Sequence, residues 1–346
     1  MSSKNDSPKL SADVLILGAG IAGLTAAREL RASGKEVILL EKSRGLSGRA
    51  ATRRWDNRPV DHGAQFFTAR SPAFRAQVEQ WLTDNVCFTW AQGFHRHSAG
   101  TLIPPARDKH PRYACLNGMS SLGHDLAGPD PTWVLRETPV TTLEARERLW
   151  TARSADGRSF SAPTLILTPP PAQSAALLQD AAPVAADALL ACQMSPCLAL
   201  AVRYPRRPLP WLGIQALEHP VISWIGHDSS KRPSLHRDST ILTIHASTAS
   251  SERHFQADHQ NIANLLLGAA SEITGEDLSS PESFFLQRWR YALGQRGDNP
   301  PLLVRYWDVP APLVLAGDAI AGGKIEGAWL SGKAAAQAVL EKSGQL

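Results

Sequence analysis

Gly18, Gly20 and Gly23, followed by Glu41 at 23 residues beyond the first of them, are the residues whose types and spacing speak most directly of chemistry. Glycines at this G-x-G-x-x-G spacing suit a phosphorylated ligand. The first permits a tight turn, the second lets the backbone come close to a pyrophosphate, and the third lets a helix pack against a strand. An acid at the distance of Glu41 can accept hydrogen bonds from an adenosine ribose. A second set lies far along the chain. Trp289 and Tyr291 are two apart, so on a strand they share a face, where two rings wall a flat substrate ring or simply pack a core. His245 ends the apolar run ILTI, and its imidazole can bond a carboxamide or ribose, or be a satisfied structural residue. Gln65, just after Asp61-His62-Gly63, can hold a ligand carboxamide or the edge of a cofactor, or only close its own turn.

The elements that must position these residues are legible around the glycines. Val14 to Leu17 is a short apolar run of the kind buried on both faces of a parallel sheet. The helix that follows Gly20 offers free N–H groups and a partial positive charge to phosphates. Gly34 stops that helix, and Glu36 to Leu40 forms the next strand, ending at Glu41. Gly48 and Arg49 continue the nucleotide site, where a planar guanidinium can neutralise a pyrophosphate. Near the C-terminus PLVLAGDAIAGGKIEGAWLSGKAAAQAVL again reads as a strand, an acid and a glycine-punctuated entry into a helix.

That pairing of ends resembles the flavin-dependent oxidase superfamily that includes the amine oxidases, whose FAD is gripped by both ends of the chain. The resemblance implies that Asp318 binds the ribityl or phosphate region, unless it is only a helix cap, and that a helix starting near Glu326 to Ala328 points its N-terminus at the flavin N1 and C2 carbonyl. A closer likeness is carried by SRGLSGR, DHGAQFFTAR at Asp61 to Arg70, Asn117-Gly118-Met119-Ser120, His245 within ILTIHAST, Arg288-Trp289-Arg290-Tyr291-Ala292 and GDAIAGGKIEGAWLSG. In that order, over nearly the whole chain, these segments resemble the bacterial renalases. The chain departs from the pattern at Leu293-Gly294-Gln295, where Arg-Pro is expected.

The resemblance implies an FAD-dependent oxidase that takes the 2- or 6-dihydro isomers of NAD(P)H to NAD(P)+ by hydride transfer to flavin N5, with O2 reduced to H2O2. Such a transfer needs stacking and orientation and no general base. The implied cofactor residues are Gly18, Gly20, Ile21, Ala22, Gly23, Glu41, Lys42, Gly48, Arg49, Gln65, Val140, Thr168, Gly317, Asp318, Glu326, Gly327 and Ala328, with Val140 touching adenine through its backbone or serving as a core valine. The implied catalytic residues are Gln65, His245, Trp289 and Tyr291. Two rival readings stay open: an amine oxidase, in which Trp289 and Tyr291 form an aromatic cage, and a non-catalytic protein that binds FAD for stability. No Cys stands near the C-terminal motif, so non-covalent FAD is expected.

The rest of the chain bounds these readings. Its 346 residues suffice for two domains with a sizeable core. The net charge of +4 is mild and the basic residues are scattered, which argues against a nucleic-acid partner. Arg53-Arg54-Arg58 and Lys109-His110-Pro111-Arg112 can meet the phosphates of a dinucleotide substrate or form a solvated surface. Cys87, Cys115, Cys192 and Cys197 show no CxxC and no ligand spacing with histidine, so reduced thiols and no metal are expected. The 12-residue leader MSSKNDSPKLSA lacks the form of a signal peptide and is expected to be disordered. No run is long enough to cross a membrane, and a cytoplasmic location is expected.

The expected fold is α/β, a Rossmann-type FAD-binding domain interleaved with an α+β substrate domain, in the architecture of p-hydroxybenzoate hydroxylase and the amine oxidases. The FAD-binding domain takes residues 1–70, 115–190 and 292–346, and the substrate domain 71–114 and 191–291. Phe74, Val78, Trp81 and Leu82 fall at helical spacing, and Met119 to Leu126 reads as a helix. Leu149 to Ala152 reads as part of a hairpin closed near Asp156-Gly157, and Thr164 to Thr168 as a strand ended by three prolines. CLALAVRY, VISWIGHD and STILTIHAST read as strands of a substrate-domain sheet, with one long helix from about Ser251 to Thr274 behind it.

Overall fold

The computed structural model describes residues 9–106, 110–294, 304–308 and 310–343. Residues 1–8 of the leader, Lys109 and Gln295 lie outside the described residues. The chain forms two compact units, residues 1–48, 122–194 and 294–346 in the first and 49–121 and 195–293 in the second. Residues 49–70 and 115–121, assigned above to the FAD-binding domain, pack in the second unit. Asp61 and the carbonyl oxygens of Cys115 and Leu116 are tied there to Lys231 and Arg232.

The first unit is built on a six-stranded sheet. Its order is Val134–Leu135, Val37–Leu40, Val14–Leu17, Thr164–Leu167, Leu313–Ala316 and Val304–Trp307. The first five strands are parallel and the last antiparallel. All four residues of Val14–Leu17 are buried, as a central parallel strand requires. Helix Ile21–Ala32 packs against helix Lys324–Ser343 so closely that a Cβ on Gly332 would lie 2.3 Å from the Ala22 carbonyl oxygen. The C-terminal helix thus begins at Lys324, ahead of the expected Glu326. A four-stranded sheet stands apart, ordered Lys9–Ser11, Ser159–Ala162, Leu149–Ser154 and Val140–Arg146. The leader is therefore not wholly disordered, because Lys9–Ser11 pairs in parallel with Ser159–Ala162.

The second unit holds a seven-stranded sheet in the order Ser283–Gly294, Met194–Pro205, Ser239–Ala246, Ile222–His227, Gly213–Ala216, His95–Ser98 and Thr101–Ile103. One face carries Leu198, Leu200, Val202, Leu242 and Ile244 into a core with Ile262, Leu266 and Ile273 of a helix. The single helix expected over 251–274 is two, Thr248–His254 and His259–Thr274. The break has a local cause: the Asp258 side chain accepts the Gln260 N–H and caps the second helix, which ends at left-handed Gly275. Helix Pro72–Thr83 buries Phe74, Val78 and Trp81. Two ribbons complete the unit, Thr52–Trp55 with Arg58–Asp61 and Cys87–Ala91 with Arg112–Cys115.

Candidate functional site

In the first unit the glycine turn is locked on one side and open on the other. A Cβ on Gly23 would lie 2.0 Å from the Gly18 carbonyl oxygen, so only glycine lets this helix leave the strand where it does. Gly18 has φ +97, and its missing Cβ makes room for Thr168, whose hydroxyl donates to the carbonyls of Leu17 at 2.8 Å and Gly18 at 3.1 Å. A Cβ on Gly20 would meet nothing within 4 Å. The open side of Gly20 is the cradle a pyrophosphate needs, directly before the N–H groups of Ile21, Ala22 and Gly23.

Around that cradle the expected residues take up particular places. Glu41 is buried at the end of its strand, with one carboxylate oxygen accepting the Ala19 N–H and the other the Ser43 N–H, both at 2.7 Å. A carboxylate has about four acceptor sites, so two remain for a ribose diol. Thr138 donates its N–H to the Glu41 carbonyl at 2.8 Å, bringing Val140 near, although its side chain packs on the core of the unit. Ser47 holds the Gly48 turn by accepting the Gly123 N–H and donating its own N–H to Ala19. Gly317, at φ +138, donates to the Ser331 hydroxyl, and the Asp318 carbonyl accepts the Gly323 N–H. Glu326, Gly327 and Ala328 lie in the first turns of the last helix, where a Cβ on Gly327 would crowd the Ala321 carbonyl at 2.7 Å. Lys42 is exposed and bonds Gln173. These features fit a dinucleotide cofactor.

In the second unit the sheet face opposite the apolar core carries the remaining candidates. Register pairs His245 with Ala199 on one side and Trp224 on the other. The segment Asp61–Gln65 lies on this face, since the Asp61 carbonyl accepts the Thr243 hydroxyl at 2.9 Å and a Cβ on Gly226 would sit 3.1 Å from Gln65 Oε1. Trp289 and Tyr291 stand on the edge strand Ser283–Gly294 at the expected alternation. The Trp289 ring stacks on His62 with centroids 5.4 Å apart and planes at 12°, and its indole N–H donates to the His62 carbonyl at 3.0 Å. Arg49 donates to the Ala292 carbonyl at the end of the same strand.

Beneath this face lies a buried ion network that sequence reasoning missed. Lys231 Nζ reaches Asp228 Oδ1 at 2.9 Å, Asp61 Oδ2 at 3.1 Å and Gln65 Oε1 at 3.3 Å. Arg232 bonds Asp61 at 2.6 Å and Asp228 at 3.3 Å, and also the Cys115 carbonyl. Gln65 is thereby fixed as a turn residue. Its amide nitrogen donates to the carbonyls of Asp61 at 2.7 Å and Gly63 at 3.2 Å, and its oxygen accepts from Lys231, so both amide N–H groups are used within the protein. Burial opposes ionisation of Asp61, but the charges of Lys231 and Arg232 overcome it and hold the carboxyl well below the usual range. A signal existed in the sequence: Asp228, Lys231 and Arg232 at i, i+3, i+4 follow directly on an apolar strand.

The imidazoles beside this network are uncharged at neutral pH. Burial lowers His245 to about 4, helped by the charge of Lys231, and His62 falls to about 4 chiefly through burial as well. His245 Nε2 and His62 Nδ1 are buried and have no hydrogen-bond partner among the described residues. These two ring nitrogens leave hydrogen-bonding capacity on this sheet face that a polar ligand group or water can satisfy. Among the described residues no group of three His, Cys, Asp or Glu can hold a metal, all four cysteines are unpaired, and no helix is long and apolar enough to cross a membrane.

Comparison with known proteins places these features in context. Residues 16–81 match the NAD(P)-binding Rossmann-like domain, and residues 82–340 match the family described as flavin containing amine oxidoreductase. A stretch of 59 residues is 44% identical to a Mycobacterium tuberculosis protein named as a flavin-containing monoamine oxidase; it spans 17% of this chain and 13% of that relative. Among solved structures, a protoporphyrinogen oxidase from Exiguobacterium is similar at TM-score 0.77 and 16% identity, covering 99% of this chain and 100% of the other. Cyclohexylamine oxidase from Brevibacterium oxydans is similar at TM-score 0.74 and 15% identity, over 96% and 99%. A putrescine oxidase variant is similar at TM-score 0.74 and 14% identity, over 97% and 100%. At such identities the likeness is one of fold, mixed α/β with a Rossmann-type domain.

Proposed function

From the premise that this chain belongs to the flavin-containing amine oxidoreductase family, with FAD as its cofactor, we propose that it is an oxidase of the 2- and 6-dihydro isomers of NAD(P)H. In the overall reaction the dihydropyridine, a proton and O2 give NAD(P)+ and H2O2. Bound FAD supplies the two-electron acceptor that passes the electrons on to oxygen. Gly18, Gly20, Gly23, Glu41 and Asp318 of the first unit are the residues to hold it, together with the first turn of the helix that begins at Lys324.

The observation that carries this reading is the pairing of flat aromatic surface with uncharged imidazoles. A dihydropyridine loses a hydride from carbon and becomes an aromatic cation, so it asks the protein for stacking and orientation rather than a general base. Trp289, held rigidly by its stack on His62, provides the surface, and Tyr291 extends it two residues on. His245 Nε2 is available to the carboxamide. The two nearby carboxylates, Asp61 and Asp228, are engaged by Lys231 and Arg232, so an ammonium would be received by the aromatic cage alone. The amine oxidase reading retains support from the family itself and from relatives named for amines.

The test is anaerobic mixing of the yellow protein with the 2- and 6-dihydro isomers of NAD, following the visible absorbance. Bleaching that reverses in air with release of peroxide supports the proposal. Bleaching by an amine alone transfers the assignment to the amine oxidases, and no bleaching by any donor leaves a non-catalytic FAD-binding protein.

A further inference from the structure

The three arginines offered by the sequence as phosphate partners have different fates. Arg58 is paired with Asp238, with Nη2 3.1 Å from Oδ2. Arg54 points to the other side of its ribbon and donates to the Asn117 carbonyl at 3.4 Å. Arg53 is exposed, and among the described residues its guanidinium has no hydrogen-bond or ion-pair partner, only the ring of Phe285 beneath it, 4.6 Å from Cζ to the centroid.

That position lies on a row of rings, which continues past Phe285 to Trp55, edge-on at 5.0 Å, where Arg203, already paired with Asp56, covers the far ring. Phe285 meets His62 edge-on at 5.9 Å, and His62 stacks on Trp289 at 5.4 Å. Phe285, Gln287, Trp289 and Tyr291 share one face of the edge strand by alternation. At about 3.3 Å of rise per residue, Phe285 and Trp289 lie about 13 Å apart along the strand. A ribose and a pyrophosphate bridge such a span, and a small amine or a bare nicotinamide does not. A guanidinium resting its face on a ring keeps its edge N–H groups free, and those are the donors that fit two phosphate oxygens.

We propose that Arg53 is the specificity-determining residue that binds the pyrophosphate of a pyridine dinucleotide whose ring lies against Trp289, so that phosphorylated substrates are selected over the unphosphorylated riboside. This rests on the reading of the substrate as a dihydronicotinamide nucleotide. The site holds the charged end of the substrate by an exposed cation and the reacting end by neutral groups.

The experiment is equilibrium binding of two unreactive probes, NAD+ and nicotinamide riboside, to the FAD-loaded protein and its Arg53→Met and Arg53→Lys variants. Methionine keeps an apolar stem on Phe285 while removing the charge. Arg53→Met is expected to weaken NAD+ about tenfold, the effect of one charge-assisted contact at an exposed site, and to leave the riboside unchanged. Arg53→Lys should recover part of the loss, and added salt should weaken NAD+ binding to the parent more than to Arg53→Met. Equal affinity of parent and Arg53→Met for NAD+, or an equal loss for both probes, overturns this assignment alone. Failure of the parent to bind NAD+ overturns it as well, and flavin bleaching by the dihydro isomers then tells whether the substrate reading falls with it.

Discussion

Replacing Lys231 by methionine tests whether the buried ion network holds the site face together. The side chain is wholly buried, and its ammonium bonds Asp61, Asp228 and Gln65 while lying 5.0 Å from the Trp90 ring centroid. Methionine fills a similar volume but leaves two buried carboxylates facing the single cation of Arg232. Removing one partner of a buried pair costs about 3–5 kcal/mol, because the remaining charge has lost its compensation. At about 2–4 °C per kcal/mol for a unit of this size, Tm should fall on the order of 10 °C. The pH dependence gives the sharper signature. In the parent, Lys231 and Arg232 keep the Asp61 carboxyl depressed against the pull of burial, so its contribution is present above the unfolded carboxylate pKa and is lost as pH falls toward the folded one. In the variant a carboxylate regains a proton at higher pH and cancels the excess charge. The deficit should therefore be largest near pH 8 and shrink toward pH 5, and adding Asp228→Asn should restore part of it. Scanning calorimetry across that range is the assay. A variant within about 2 °C of the parent at pH 8, or a deficit that grows on acidification, would refute the reasoning.

Other outcomes follow from single features. Gly23→Ala should unfold or greatly destabilise the first unit, because its Cβ meets backbone at 2.0 Å, whereas Gly20→Ala should leave the Tm of the flavin-free protein unchanged and yet lower flavin retention, read as the ratio of visible to 280 nm absorbance. His62 and His245, both depressed to about 4, stay neutral in the folded chain while the unfolded chain takes up protons; stability should fall as pH drops from about 6.5 to 4, and His245→Gln should flatten that slope in urea titrations. All four cysteines are free and none lies in the C-terminal motif, so acid precipitation should leave the yellow colour in the supernatant; colour in the pellet would mean a covalent link.

Local order in the sequence carried the cofactor half of the molecule. The run from Val14 to Glu41 contains its own strand, turn, helix and acid, and the contacts that shape the turn itself, the Glu41 carboxylate on the Ala19 N–H and Gly23 against the Gly18 carbonyl, are made within it; its distant partners, Val134–Leu135, Thr164–Thr168 and Gly332, add to a pattern that is already complete in sequence. Three strands of the second unit, Met194–Pro205, Ile222–His227 and Ser239–Ala246, were legible for the same reason, as apolar or alternating runs, whereas the short polar strands His95–Ser98, Thr101–Ile103 and Gly213–Ala216 carry no such run. What escaped was non-local or polar. Asp61 meets Lys231 across 170 residues, and no periodicity announces a pair so far apart. The helix expected from 251 to 274 breaks at Asp258 because one side chain prefers a cap to a turn of helix, a choice that apolar spacing does not report. The turn role of Gln65 rests on the carbonyls of Asp61 and Gly63 around its amide, which only the folded backbone brings there.

The strand order of the first unit sets a timetable for synthesis. Val14–Leu17 and its glycine turn leave the ribosome well ahead of their parallel neighbour Thr164–Leu167, which is made about 150 residues later and is itself completed by Leu313–Ala316. The Ser331 hydroxyl that holds Gly317, and the Gly332 surface on which Ala22 rests, come later still. Until then the nascent chain carries a nucleotide motif whose apolar strands lack partners, and contacts so distant in sequence form slowly. The glycine motif therefore waits for Leu313–Ala316 and the helix beyond it, and a chain cut short before Leu313 would carry the fingerprint of a dinucleotide site on a sheet and a helix that lack their last partners.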